Sequence, residues 1–136
     1  MKKLFIAILA LGILALAACG APEAVYRKIA AEEACQMMQE TDGYILLDVR
    51  TDEEFAEKHI GGAILIPAYE IGNRAAAELP DKNALILLYC RSGGRSEIAA
   101  QELVAMGYTN VYDFGGIIDW PYDTVCKSTD ATNGAK

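Results

Sequence analysis

Seven consecutive residues, Cys90, Arg91, Ser92, Gly93, Gly94, Arg95 and Ser96, place a nucleophile, two cations and two glycines in one short segment. An apolar run, Ala84 to Tyr89, precedes it, and a helix-compatible stretch, Arg95 to Met106, follows. The cysteine is therefore expected at the carboxyl end of a buried strand, where open α/β sheets gather function. Gly93 and Gly94 give the backbone the freedom to aim successive N–H groups at the sulfur, and the following helix presents its positive end to the same point. Such a cradle favours an anion. A free thiol, with a pKa of about 8.5, is mostly protonated at neutral pH, whereas helix N-termini and nearby arginines bring cysteines down to roughly 3.5 to 7.5. Arg91 and Arg95 add fixed charge and planar donors suited to a small oxyanion. Ser96 is placed to cap the helix or to bond the sulfur.

The elements that hold this loop follow from periodicity. Ala30 to Glu40 has Ala31, Ala34, Cys35 and Met38 on one helical face, and Gly43 just beyond suits a stop. Tyr44 to Val49 is continuously apolar up to Asp48, the pattern of a strand buried on both faces, and parallel sheets make such strands. Ala63 to Ile66 and Ala84 to Tyr89 repeat the signal, and each of the three runs is followed by a helix-compatible stretch: Thr51 to Lys58, Ala68 to Glu78 and Arg95 to Met106. The last of these carries Ala99, Leu103 and Met106 on one stripe and stops at Gly107. Val111 to Phe114 is expected as a final strand that Gly115 and Gly116 break before a short helical piece at Ile117 to Trp120. Strands alternating with helices predict an α/β fold: a doubly wound, mainly parallel five-stranded sheet with helices on both faces.

The N-terminus has the parts of an export signal: Lys2 and Lys3, an apolar run from Leu4 to Leu16, then small residues before Cys19. Leu16, Ala17, Ala18 and Cys19 resemble the lipobox of bacterial lipoproteins, which implies lipid attachment at Cys19 and an exported, membrane-anchored protein on the extracytoplasmic side. Residues 1–18 are then the signal peptide, 19–25 a tether, 26–125 the domain and 126–136 a polar, frayed tail. Losing residues 1–18 removes Lys2 and Lys3 and no acids, leaving 10 basic against 19 acidic residues and a charge of −9. An acidic surface of that size argues against nucleic acid and against a polybasic contact with anionic lipid, so acyl chains are left as the membrane attachment.

Because an exported chain meets an oxidising environment, the four cysteines need separate assignments. Cys19 is assigned to lipid and Cys90 to the loop. Cys35 and Cys126 remain, either as a disulfide pair or as a small apolar helix residue and an inert thiol. One histidine and scattered cysteines offer no paired metal-ligand spacing, and neither a metal nor any other cofactor is expected.

The loop, together with the LLDVR run ending in Asp48 and Arg50, the HIGGAILIP segment from His59 and the GGIIDW segment ending at Trp120, resembles the rhodanese family over about residues 26 to 123. That family opens its active-site loop with a persulfide-forming cysteine and closes it with an arginine after four intervening residues, as Cys90 and Arg95 do. The resemblance implies a sulfurtransferase in which Cys90 takes sulfane sulfur from thiosulfate or another persulfide donor and passes it to a thiophilic acceptor. The partners implied are small sulfur-containing anions or thiols, with any protein acceptor undefined. Backbone N–H groups of residues 91–95 would hold the persulfide, and Arg95, with Arg91, would position the oxyanion.

Asp48 and Arg50 read as scaffold, with Arg50 pairing Asp52, Glu53 or Glu54 and Asp48 holding loop amides. His59 reads as structural because a thiolate stabilised by its loop needs no base. Trp120 reads as core, and Tyr69 as the aromatic that rims the pocket. Two other functions fit the same scaffold: a non-catalytic binding or redox-sensing module, and a phosphatase or arsenate reductase. The phosphatases on related scaffolds set five residues between cysteine and arginine, making room for a tetrahedral phosphate, and this loop has four.

Overall fold

A computed structural model describes residues 25–124. Its elements run β1 (Arg27–Lys28), α1 (Ala31–Glu40), β2 (Ile45–Asp48), α2 (Asp52–Glu57), β3 (Ile64–Leu65), a 3-10 turn (Ala68–Glu70), α3 (Ile71–Glu78), β4 (Ile86–Cys90), α4 (Gly94–Ala105), β5 (Val111–Gly116) and a second 3-10 turn (Ile117–Asp119). The five strands form one sheet in the order β1-β5-β4-β2-β3, and every neighbouring pair is parallel. The expected α/β sheet with helices on both faces is the observed one. β4 lies at its centre, which is why Ile86 to Cys90 are all buried and why the segment reads as apolar throughout.

Strand alternation sorts the core into two layers. Leu47, Val49, Ile86, Leu88, Cys90 and Val111 point toward α3 and α4, where Ile71, Ala75, Ala99 and Leu103 meet them. Leu46, Leu87, Tyr89 and Phe114 point the other way, against Ala34 and Met37 of α1 and against Ile117. The Cys90 side chain therefore lies under the first turn of α4.

Two expectations need correction. Gly115 and Gly116 do not break the last strand. β5 continues through both, with an extra residue at a bulge: Leu88 faces Asp113, but Cys90 faces Gly116. Gly115 takes the left-handed conformation (φ +87°) that the bulge requires. Helix α1 stops on an extended Thr41 rather than on Gly43, which instead makes the turn into β2 at φ +75°. The sheet's remaining strand, β1, is two residues long and exposed, so no periodic signal in the sequence marks it. Gly107, by contrast, sits just past α4 at φ +93°, the expected stop. Cys19 and Cys126 lie outside the described residues, as do the signal and tail segments and the tether up to residue 24.

Candidate active site

Cys90 ends β4 and is 1% exposed. The chain then turns through Arg91 and Ser92, both exposed, into Gly93, which adopts φ +107° and caps α4. That conformation turns the Gly93 N–H back onto the Cys90 Sγ at 3.0 Å. Gly94 does not share the role expected of it: its φ is ordinary, and a Cβ there would meet nothing within 4 Å. It serves as the first residue of α4.

Burial pushes the Cys90 thiol up, but the amide and hydroxyl of Ser96 and the amides of Gly93 and Ser92 outweigh it, and the net shift is downward. Among the described residues these donors are backbone groups and one hydroxyl rather than a basic side chain. Ser96 is fully buried and donates from Oγ toward Gly93 O (3.0 Å) and Gly115 O (3.3 Å), clamping the loop to the end of β5.

Arg95 is not simply a free cation beside the sulfur. Its guanidinium donates to both carboxylate oxygens of Glu54, at 2.7 and 2.9 Å. Glu54 is itself the third helical residue of a capping box: Thr51 Oγ1 accepts from Glu54 N–H, and the Glu54 carboxylate accepts from Thr51 N–H. Arg95 is the main reason the Glu54 carboxyl is lowered to about 2, so the clamp stays charged at any physiological pH. The positive charge of Arg95 is thus largely matched, and its remaining N–H donors are held in a fixed plane. Arg91, with no ion pair to a described residue, borders a hollow of about 240 Å³ with Arg50, Glu54, Lys58, Ile117 and Ile118.

Asp48 and Arg50 form one buried unit, 0% and 3% exposed, with Arg50 Nε 3.0 and 3.1 Å and Nη2 2.6 Å from the Asp48 carboxylate. Arg50 therefore pairs with Asp48 and not with Asp52, Glu53 or Glu54 as expected: the two-residue spacing folds the guanidinium back onto Asp48, and Glu54, which borders the same hollow, is taken by Arg95. The Asp48 carboxylate also accepts the Arg50 amide at 2.9 Å, and Nη2 donates to Lys58 O at 2.7 Å. His59 stacks on Phe55 with ring centroids 3.8 Å apart, and its Nδ1 is 2.8 Å from Phe55 O, a structural setting.

Tyr69 is 72% exposed and shares an apolar hollow with Ala68, Arg95 and Ile98, a hollow whose lining does not include Cys90 or residues 91–94. Trp120 packs on Phe114 and Tyr122. Cys35 sits half-buried on α1 and is a free thiol among the described residues, its Sγ accepting from Gln39 Nε2 at 3.4 Å.

Two groups escaped the sequence reading. Glu54 was one of three interchangeable acids, and only the fold brings it to Arg95, 41 residues away. Gly116 sits where an added Cβ would run into the Arg91 carbonyl, which also accepts from Ile118 N–H at 3.3 Å. The double glycine was the available signal, and locally it looks like a strand breaker.

A parallel α/β domain whose central strand delivers a cysteine into an amide-lined loop at a helix N-terminus is the class defined here. The rhodanese-like domain family model matches residues 30–121, and the chain belongs to that family. It is 42% identical over 73 residues to thiosulfate sulfurtransferase PspE of Escherichia coli, covering 54% of this chain and 70% of that protein. It is 37% identical over 94 residues to a sulfurtransferase of Allochromatium vinosum, covering 68% and 86%. Among solved structures, a rhodanese with anions from E. coli is similar at 38% identity and a TM-score of 0.58, covering 61% of this chain and 98% of that one. A rhodanese-like domain protein from Staphylococcus aureus is similar at 31% identity and a TM-score of 0.64, covering 74% and 98%. Family and relatives together support sulfur transfer as the general activity.

Proposed function

We propose that the protein moves sulfane sulfur through a persulfide on Cys90, with thiosulfate or a persulfide as donor. The Gly93 N–H aimed at Cys90 Sγ carries this reading, because it is a donor set in advance for sulfur bearing negative charge. The Cys90 thiolate attacks the outer sulfur of thiosulfate, a new S–S bond forms, and sulfite leaves with the electron pair of the old one. An acceptor thiolate or cyanide then attacks the outer sulfur of the persulfide, and Cys90 departs as thiolate. The amides of residues 91–95 hold the outer sulfur between the steps. Arg91 and the free edge of Arg95 receive the oxyanion.

Incubated with thiosulfate, the protein is expected to gain the mass of one sulfur atom and to form thiocyanate when cyanide follows. Cys90→Ser should do neither, a loss of at least about a thousandfold by analogy with removal of other catalytic nucleophiles. Equal thiocyanate from both proteins, with no mass gain in either, rejects the reading.

The same proposal places the domain outside the cytoplasm on a lipid at Cys19, supported by the small residues before Cys19 after the Leu4 to Leu16 run. No helix among the described residues is long and apolar enough to cross a membrane. Radiolabelled fatty acid should enter the wild-type chain and not Cys19→Ala, whereas label retained by the variant excludes that attachment.

A further inference from the structure

Arg95 meets Glu54 end-on, Nη1 donating to Oε2 at 2.7 Å and Nη2 to Oε1 at 2.9 Å. Two of the five guanidinium N–H donors are used in this way and three are left for a ligand. Glu54 is itself tied down. Its Oε2 accepts the Thr51 N–H at 3.0 Å as well, and its own N–H donates to Thr51 Oγ1 at 3.3 Å. The same carboxylate borders the hollow of about 240 Å³ that Arg91 lines, so an anion seated there faces Glu54 as well as the cations. Of the charges around that hollow, Arg50 is matched by Asp48 at 2.6 Å and Glu54 by Arg95 at 2.7 Å. Lys58 and Arg91 then stand against Glu57, one positive charge in surplus. With Glu54 neutral, the Arg95 charge beside it would raise the surplus to two. The Arg95 and Glu54 side chains are 38% and 26% exposed, so a ligand in solution reaches the pair. The chain as a whole, at −7, adds to the resistance an anion meets.

We propose that Glu54 is a specificity-determining residue that withholds Arg95 from anions, so that the donor site discriminates against the thiosulfate dianion in favour of donors with one negative charge, such as an organic persulfide. Glu54 touches no reacting atom. It acts through Arg95, by occupying the end-on edge of the guanidinium and matching its charge. A dianion gains twice as much as a monoanion from an unmatched positive charge, so matching that charge costs thiosulfate the more. Thiosulfate keeps Arg91 and the remaining donors of Arg95 but is held less firmly, and departing sulfite is released more readily for the same reason.

The inference rests on the sulfur-transfer reading for the donor site, but its test reads binding without turnover, so the two fail separately. In the full chain carrying Cys90→Ser, thiosulfate (two charges) and methanethiosulfonate (one charge) have no thiolate at position 90 to react with. NMR shifts of the backbone amides of residues 91–95 report the affinity for each. Glu54→Gln keeps the capping box, in which glutamine serves as glutamate does, and removes the charge. It should tighten thiosulfate about tenfold and methanethiosulfonate about threefold, the scale and ratio set by one unit charge a few ångströms away under partial screening by water. Both gains should largely vanish at about 1 M salt, where the screening length is about 3 Å. With Arg95→Met also present, Glu54→Gln should tighten thiosulfate about threefold or less, the bare field of the carboxylate. A loop that had merely loosened would change both ligands alike at every salt concentration. Equal changes for the two ligands, an unchanged thiosulfate affinity, no binding in either protein, or an undiminished gain without Arg95 overturns the proposal. Should Glu54→Gln not fold, Glu54→Asp, whose shorter arm draws the carboxylate back from Arg95, is held to the same criterion: thiosulfate must tighten more than methanethiosulfonate. Absent sulfur transfer in the wild type, with the binding ratio shifting as expected, would reject the transfer reading and leave the discrimination by charge standing.

Discussion

Gly116→Ala should lower sulfur transfer about a hundredfold while the chain still folds, with stability reduced by about 1–3 kcal/mol. A Cβ on Gly116 would lie 2.2 Å from Arg91 O, 2.6 Å from Ser92 Cα and 2.7 Å from Arg91 C. All three are backbone atoms of the Cys90 loop, so no side chain can swing aside. Relief requires the loop to move away from β5, by about an ångström if van der Waals contact is to be restored. That movement breaks the geometry that sets Gly93 N–H on the sulfur, because Ser96 bonds Gly93 O and Gly115 O together. Gly94→Ala is the matched control. Its site has ordinary φ and open space, and alanine in place of glycine near a helix start should be neutral or stabilising by up to about 1 kcal/mol. Thiocyanate formation and urea unfolding measured side by side check both. Wild-type turnover in Gly116→Ala would show that contact between β5 and the loop does not position the sulfur.

The contrast between these two glycines shows what a sequence can and cannot disclose. The strand, loop and helix around Cys90 were legible because each has a local signal: a continuous apolar run, a glycine turn, and an α4 stripe of Ala99, Leu103 and Met106. Which glycine bends and which is spared was not legible, since Gly93 and Gly94 are identical in type and only the trajectory into α4 assigns φ +107° to the first. The bulge at Gly115 was hidden for a similar reason: a glycine pair weakens a strand whether the strand ends or merely gains a residue. Long-range pairing was the other gap. Arg95 finds Glu54 across 41 positions, and although Thr51 three residues earlier marks Glu54 as a capping-box acid, nothing local marks it as the partner of Arg95.

The largest loss of stability is expected from Asp48→Ala, which leaves the Arg50 guanidinium 3% exposed with its main partner gone. Removing one half of a buried ion pair costs about 3–5 kcal/mol, because the remaining charge keeps its desolvation and loses its compensation. Arg50 would retain the Lys58 carbonyl at 2.7 Å and the face of Tyr89, 5.6 Å from ring centre to guanidinium carbon, neither of which neutralises it. A domain of this size is held by only about 5–15 kcal/mol in all, so the urea midpoint should fall by about a fifth or more, with the slope unchanged if unfolding stays two-state. Arg50→Met alone should cost less, since the Asp48 carboxylate keeps the Arg50 backbone N–H at 2.9 Å and lies at the carboxyl end of β2. Replacing both, Asp48→Leu with Arg50→Met, removes charge and counter-charge together. Its cost should fall short of the sum of the two single changes by about 2 kcal/mol or more, the coupling that a double-mutant cycle isolates. A loss below about 1 kcal/mol for Asp48→Ala, or simple additivity in the double variant, would mean the pair is not what fixes the end of β2 beside the reactive loop.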